Sequence, residues 1–291
     1  MTTSVRVPHA IPAYADIGRP RLLPIAYTLI LAVVLTAATT YGLIVDVAYR
    51  VSPGVLETLP DVMRGQDLLT LLSAPVLVWT AWRARAGSLL AHLLWLGLLL
   101  YYAYSYLMYA FAPYTDAFLL YLAVIGMASY ALLDGLFRLD MTVIGPVFAR
   151  IPRRGLGTFL IAVAALFIAM WLAMLLPAIP GDLPDGRFTY DIASAVHVLD
   201  LTFVLPTVLA AGSLLLRRQP AGAVLGIVLL CKMVTLGLAL VFMNLVFVEN
   251  ADVGETATWM LIAAISTAWL IVVARRMSPP RAIWMRERLW H

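Results

Sequence analysis

The chain predicts an all-α fold, a polytopic membrane bundle of eight transmembrane helices. Three observations predict it. Apolar residues make up 63% of the 291 residues and charged residues 12%, about half the charged share of a soluble domain. Mean hydropathy is strongly positive, at +0.93. Several stretches of about 18 or more residues carry almost no charge, enough for a helix to cross a hydrocarbon core roughly 30 Å thick.

Residues 1–21 contain Pro8, Pro12, Asp16 and Pro20 and no apolar core ahead of a cleavage site. They read as a cytoplasmic N-terminal lead rather than a secretory signal. Spans follow at 22–46, 66–83, 87–110, 116–137, 155–177, 189–216, 220–248 and 255–274, so the transmembrane domain runs over 22–274. Their connections alternate in charge. One set carries arginine: Arg19 and Arg21, "RAR" at 83–85, Arg150 with Arg153 and Arg154, "RRQP" at 217–220, and "ARR" at 274–276. The other set is neutral or acidic: "VSPGVLETLPD", "APYTD", "PAIPGDLPDG" and "VENADVGE". The positive-inside rule then puts both termini in the cytoplasm. The 275–291 tail mixes arginines with Trp284, Leu289 and Trp290, a composition suited to an anionic inner leaflet.

Two stretches suggest a duplication. "QDLLTLLSAPVLVWTAWRARAG" (66–87) and "LDLTFVLPTVLAAGSLLLRRQPAG" (199–222) share Asp-Leu near the start, a mid-helix proline (Pro75, Pro206) and a terminal arginine pair followed by Ala-Gly. The candidate repeats are 22–137 and 155–274, each of four spans. An even number of spans gives both the same orientation, so their axis would run along the membrane normal. Either proline would bend its helix and free a backbone carbonyl, for a hinge or for packing alone.

Within the spans a few charges stand out. Lys232 is the only lysine and lies in the apolar run "GIVLLCKMVTLGLAL". Asp67 precedes Arg83 by sixteen residues and Asp200 precedes Arg217 by seventeen. At helical rise both aspartates stand roughly 24–25 Å above the arginine turns, and Lys232 stands roughly 21 Å above Arg218. Lys232 is therefore expected to pair with Asp200, because a lone ammonium in hydrocarbon is costly. His197 shares a helical face with Asp200, and Asp67, with Arg64 above it, is the repeat-related member. "YYAYSYLMYAF" adds Tyr101, Tyr102, Tyr104, Tyr106 and Tyr109. One or two suit an interfacial belt, and others, Tyr101 and Tyr104 among them, should line an outward-facing polar pocket or bond Asp67 or Asp200.

Blander readings hold for the remaining polar and large residues. Asp134 and Arg138 read as an i,i+4 salt pair, Asn244 as a helix–helix hydrogen bonder, and Cys231 as a small packed hydrophobe. Trp79 and Trp95 read as packing or belt residues. His92 and Asp140 lie near the cytoplasmic surface and carry little signal. The whole charged set also admits a structural reading, a polar network that fixes helix packing.

The chain contains no P-loop, HExxH, CxxC or Gly-x-Ser-x-Gly, so no cofactor and no metal is called for. The expected partners are the lipid bilayer and a small molecule or ion, with no nucleic acid; the oligomeric state stays open. A lysine in the seventh span invites a retinal reading, but orientation and span count do not match the microbial rhodopsins. "RGQDLLTLLSAP", "RARAGSLLAHLLWLGLLLYYAY" and "HVLDLTFVLP…LLLRRQPAG…LLCKMVTLGLAL" together resemble a group of uncharacterised bacterial multi-pass membrane proteins. That resemblance implies a multi-pass fold and no activity.

Three functions fit. The leading one is a transporter-like protein with a site at Asp67, His197, Asp200 and Lys232 that is open to the outer face and sensitive to pH in the histidine range. The second is a membrane-embedded enzyme acting on a lipid-like substrate, with His197 and Asp200 as acid–base pair and Lys232 stabilising an anion. The third is a non-catalytic scaffold subunit whose buried charges order the bundle.

Overall fold

The computed structural model describes residues 25–45, 48–49, 59–112, 114–176, 190–249 and 251–277. The expected N-terminal lead at 1–21 and the tail beyond residue 277 lie outside the described residues. Ten α-helices are described: α1 (Ile25–Ile44), α2 (Leu59–Arg85), α3 (Leu89–Phe111), α4 (Phe118–Phe137), a one-turn α5 (Met141–Ile144), α6 (Arg153–Leu175), α7 (Tyr190–Leu199), α8 (Leu205–Leu216), α9 (Pro220–Phe242) and α10 (Val253–Arg276). Two π-helical turns interrupt this series, at Asp200–Val204 between α7 and α8, and at Met243–Phe247 after α9.

Seven helical segments are long and apolar enough to cross a membrane, and they mark the chain as an integral membrane protein. Burial supports this independently. Leu29, Ile30 and Val33 on α1, Leu119 and Leu122 on α4, Leu166 on α6 and Leu261 on α10 are exposed. Asp67, His92, His197, Asp200 and Lys232 are buried. Apolar groups outside and ionisable groups inside suit a surface solvated by lipid.

The expected eight spans include α2, which has 27 residues but is not among the seven. The reason lies in its inner stripe, where Gln66, Asp67, Thr70, Ser73 and Thr80 are all buried. Its outer stripe of Leu72, Val76, Trp79 and Trp82 is apolar and exposed. Hydropathy averaged around the helix hides that division, because polar groups facing protein count against the span as if they faced lipid.

The helices pair in two matching series. α1 packs on α2, α2 on α3 and α3 on α4; α6 packs on α8, α8 on α9 and α9 on α10. Contact between α3 and α9 joins the two series. These two helices are the most buried of the candidate spans. Gly97 permits their close approach, since a Cβ there would lie 2.9 Å from the Val228 carbonyl and 2.8 Å from Cys231 Sγ. Cys231 packs as a small residue in this contact, buried and with Sγ 3.5 Å from the Leu94 carbonyl.

The two prolines behave differently. Pro75 lies inside a continuous α2, on its exposed side. Pro206 follows the first π turn, where the Leu205 N–H reaches back to the Asp200 carbonyl. Proline supplies no N–H, and the widened turn lies directly before it. Thr207 Oγ1 donates to the Phe203 carbonyl at 2.6 Å, an i−4 back-bond of the kind threonine makes inside helices.

At the other end of the molecule, Asp134 and Arg138 form the expected pair, with Nε–Oδ1 at 2.8 Å. Asp140 caps α5 by accepting from Thr142 N at 2.9 Å. His92, one turn after the Ser88 cap of α3, is buried, with Nε2 3.2 Å from the Gly135 carbonyl, and ties α3 to α4.

Gly97→Val should force α3 from α9 and destabilise the bundle by about 1–3 kcal/mol, as overpacking does elsewhere. Thermal unfolding in detergent checks this. An unchanged midpoint would mean that the two helices can separate freely.

Candidate functional site

α3 carries the site. All five of its tyrosines, Tyr101, Tyr102, Tyr104, Tyr106 and Tyr109, are buried, so none serves in an interfacial belt. At 100° per residue, Tyr104 projects roughly 140° away from Tyr109. The two therefore serve different neighbours. Tyr102, Tyr106 and Tyr109 face the first helical series, and Tyr104 faces the second.

On the Tyr104 side lies Asp200, at the first residue of the π turn and 8% exposed. Both of its carboxylate oxygens accept hydrogen bonds. Tyr104 Oη donates to Oδ1 at 2.8 Å and Trp171 Nε1, from α6, donates to Oδ2 at 3.0 Å. Lys232, from α9 and 3% exposed, places Nζ 3.8 Å from the centroid of the Tyr104 ring. His197 stands one turn before Asp200 with its ring edge-on to Trp171, centroids 4.6 Å apart. Two of the expected residues, Asp200 and Lys232, thus meet at Tyr104, and His197 joins them through Trp171.

The expected direct ion pair is corrected. No Asp200–Lys232 bridge within 4.0 Å occurs among the described residues, where the pair at that distance is Asp134–Arg138. The Tyr104 phenol stands between the charges. Its hydroxyl donates to the anion while its π face holds the cation. A desolvated cation–π contact contributes about 2 kcal/mol, and a hydrogen bond to a charged group about 1.5–3 kcal/mol. Each charge polarises the ring in the sense that strengthens the other contact.

The expected single site is also corrected. Asp67, 1% exposed, belongs to a separate cluster on the other face of α3. Tyr49 Oη donates to Asp67 Oδ2. Tyr109 Oη lies 3.2 Å from Asp67 Oδ1 but 2.7 Å from the Met63 carbonyl, so its one proton is divided between two acceptors. Tyr101 Oη reaches the Gln66 carbonyl at 3.5 Å, and Tyr102 Oη meets Ser73 Oγ at 2.8 Å. The rings of Tyr49, Tyr106, Tyr109 and Tyr121 pack around this carboxylate with centroids 5.0–6.1 Å apart, edge to face except for the tilted pair Tyr106–Tyr109. Tyr101 therefore serves the Asp67 cluster and Tyr104 the Asp200 cluster.

Two contributors were not visible in the sequence, Tyr49 and Trp171. Tyr49 sits in a connection that reads only as a polar outer loop. Trp171 lies eighteen residues into α6, at roughly the height of Asp200, and depth alone could have flagged it. Asn244, expected to bond across helices, is buried in the second π turn, and its Nδ2 finds no partner among the described residues.

One cavity among the described residues, about 610 Å³, opens between the start of α6 and the α8–α9 turn. Arg153, Arg154 and Arg218 line it, and none of the site residues does. No group of three His, Cys, Asp or Glu residues gathers among the described residues.

No protein-family model, curated protein or solved structure matches this chain.

Replacing Tyr104 separates its two contacts. Tyr104→Phe keeps the ring under Lys232 and removes the hydroxyl from Asp200, and should destabilise by about 1–3 kcal/mol. Tyr104→Leu removes both contacts and should cost more. A double-mutant cycle of Asp200→Asn with Lys232→Met should show coupling in the wild-type background and little in Tyr104→Leu. Equal coupling in both backgrounds would mean that the charges interact without the phenol.

Proposed function

We propose that this chain is a transporter-like protein of the bacterial cytoplasmic membrane that handles a charged small solute or ion at the Asp200–Tyr104–Lys232 cluster. In this reading α2 is the eighth span, and the arginine-bearing turns face the cytoplasm together with both termini. The two series of helices then descend from one four-span unit. The matching order of helix pairings and the alternation of arginine between connections support this arrangement.

The observation that carries the functional reading is the phenol between the two buried charges. Breaking a direct buried salt bridge by removing one partner costs about 3–5 kcal/mol. Here each charge is held by a contact that a ligand can replace. A ligand anion that takes Lys232 from the ring face, or a cation that takes Asp200 from the hydroxyl, keeps each buried charge compensated throughout. The π turn beneath Asp200 adds a place where the helix can rewind as the carboxylate changes partners. A scaffold gains nothing from this indirect arrangement, because apolar packing would order the same helices without desolvating two charges.

The test uses the full chain reconstituted in liposomes on a solid-supported membrane. Rapid pulses of amino acids, small carboxylates and alkali cations would be applied in turn. Wild type should give charge displacement with at least one class, Asp200→Asn none, and Tyr104→Phe at most about a tenth of the wild-type signal, matching the loss of about 1.4 kcal/mol or more. Silence of the wild type toward every pulse, with the protein folded in the same liposomes, would sink the transporter reading.

A further inference from the structure

We propose that the Asp67 cluster is a sodium site, separate from the solute site at Asp200. This rests on the transporter-like reading and assigns its coupling ion. Asp67 is as deeply buried as Asp200 but less well compensated. Asp200 has a full donor on each oxygen, together with the ammonium of Lys232 across the ring. Asp67 has one full donor, Tyr49, and a share of the Tyr109 proton. Arg64, one turn away, contributes its field but makes no bridge to Asp67 within 4.0 Å. A carboxylate in that position is stabilised by a bound cation.

The surroundings fit such an ion. Its neighbours present oxygen: the hydroxyls of Tyr49 and Tyr109, the Met63 carbonyl, and the hydroxyl of Tyr106, whose ring packs on that of Tyr109 at 5.0 Å. Tyr106 Oη is buried and finds no hydrogen-bond partner among the described residues, although Asp67 is its charged neighbour. An orphaned hydroxyl beside an under-compensated carboxylate calls for a shared ligand. Hard cations take oxygen donors of this kind, and a single carboxylate balances one positive charge rather than two. A Cβ on Gly42, from α1, would fall on both Asp67 Oδ2 and Tyr49 Oη, so the cluster exists only because α1 lacks a side chain there. Tyr109 Oη stands 2.7 Å from the Met63 carbonyl and 3.2 Å from Asp67 Oδ1, and oxygens this close together suit the shorter bonds of sodium better than those of potassium. Arg64 weakens the binding, which suits an ion that must also leave.

α3 links this site to the other one. Tyr109 and Tyr104 stand on one rigid helix, and an ion that draws the Tyr109 hydroxyl toward Asp67 pulls on the helix that carries Tyr104. Ion occupancy and the Asp200 cluster are therefore coupled through a single element, as alternating access requires.

Thermal unfolding of the detergent-solubilised full chain, at fixed pH and equal ionic strength, tests the site with sodium, potassium or choline chloride as probe. Sodium should raise the midpoint by several degrees over choline, and potassium by less. The shift should vanish in Asp67→Asn and in Gly42→Ala, which displaces Asp67 Oδ2 and Tyr49 Oη without removing the charge. It should persist in Asp200→Asn, so failure of the solute reading leaves this result intact. If one variant fails to fold, the other decides, and radioactive sodium retained by wild type gives the same answer directly. Equal midpoints in all three salts, or a sodium shift that survives Asp67→Asn, would overturn the proposal.

Discussion

Two opposite charges buried in an apolar bundle must be compensated without water, and here one phenol compensates both. The Tyr104 hydroxyl answers Asp200 and its ring answers Lys232. Most of the site geometry depends on that arrangement. It requires α3 and α9 to lie close, which Gly97 and Cys231 permit. It requires Asp200 to be turned toward α3, where the helix widens into a π turn before Pro206. It brings Trp171 from α6 onto the remaining carboxylate oxygen, so α3, α6 and the π turn meet at one carboxylate.

The same helix organises a second polar cluster in a different way. Tyr109 and Tyr106 point toward α2, where Asp67 is held by hydroxyls and has no ammonium across a ring. Two aspartates at similar depth, on corresponding helices of the two series, thus have different chemistry. One is fully compensated within the protein and the other is not. This asymmetry is expected if a duplicated unit has divided its labour between a solute and an ion.

The fold was legible because membrane insertion writes a coarse signal: long apolar runs, arginine at alternate turns, and no aqueous surface to build. α2 marks where that signal weakens. Its polar stripe faces protein, so its composition understates its apolar outer face. His92 shows the same limit at single-residue scale. Counting puts it near a helix start, but only packing turns it inward onto the Gly135 carbonyl. Sequence position gives depth along a helix but not the direction in which a side chain points.

Composition and spacing by themselves determined that this is an all-helical membrane protein, and that Asp200 and Lys232 come out at similar heights. Rise per residue is fixed by the α-helix, so height follows from counting. Only the tertiary structure decided which neighbours meet at that height. It put Tyr104 between two charges expected to touch, added Trp171 and Tyr49, and moved Asp67 to a cluster of its own. Those outcomes depend on helix rotation and on which helices pack together, and packing of distant segments fixes both.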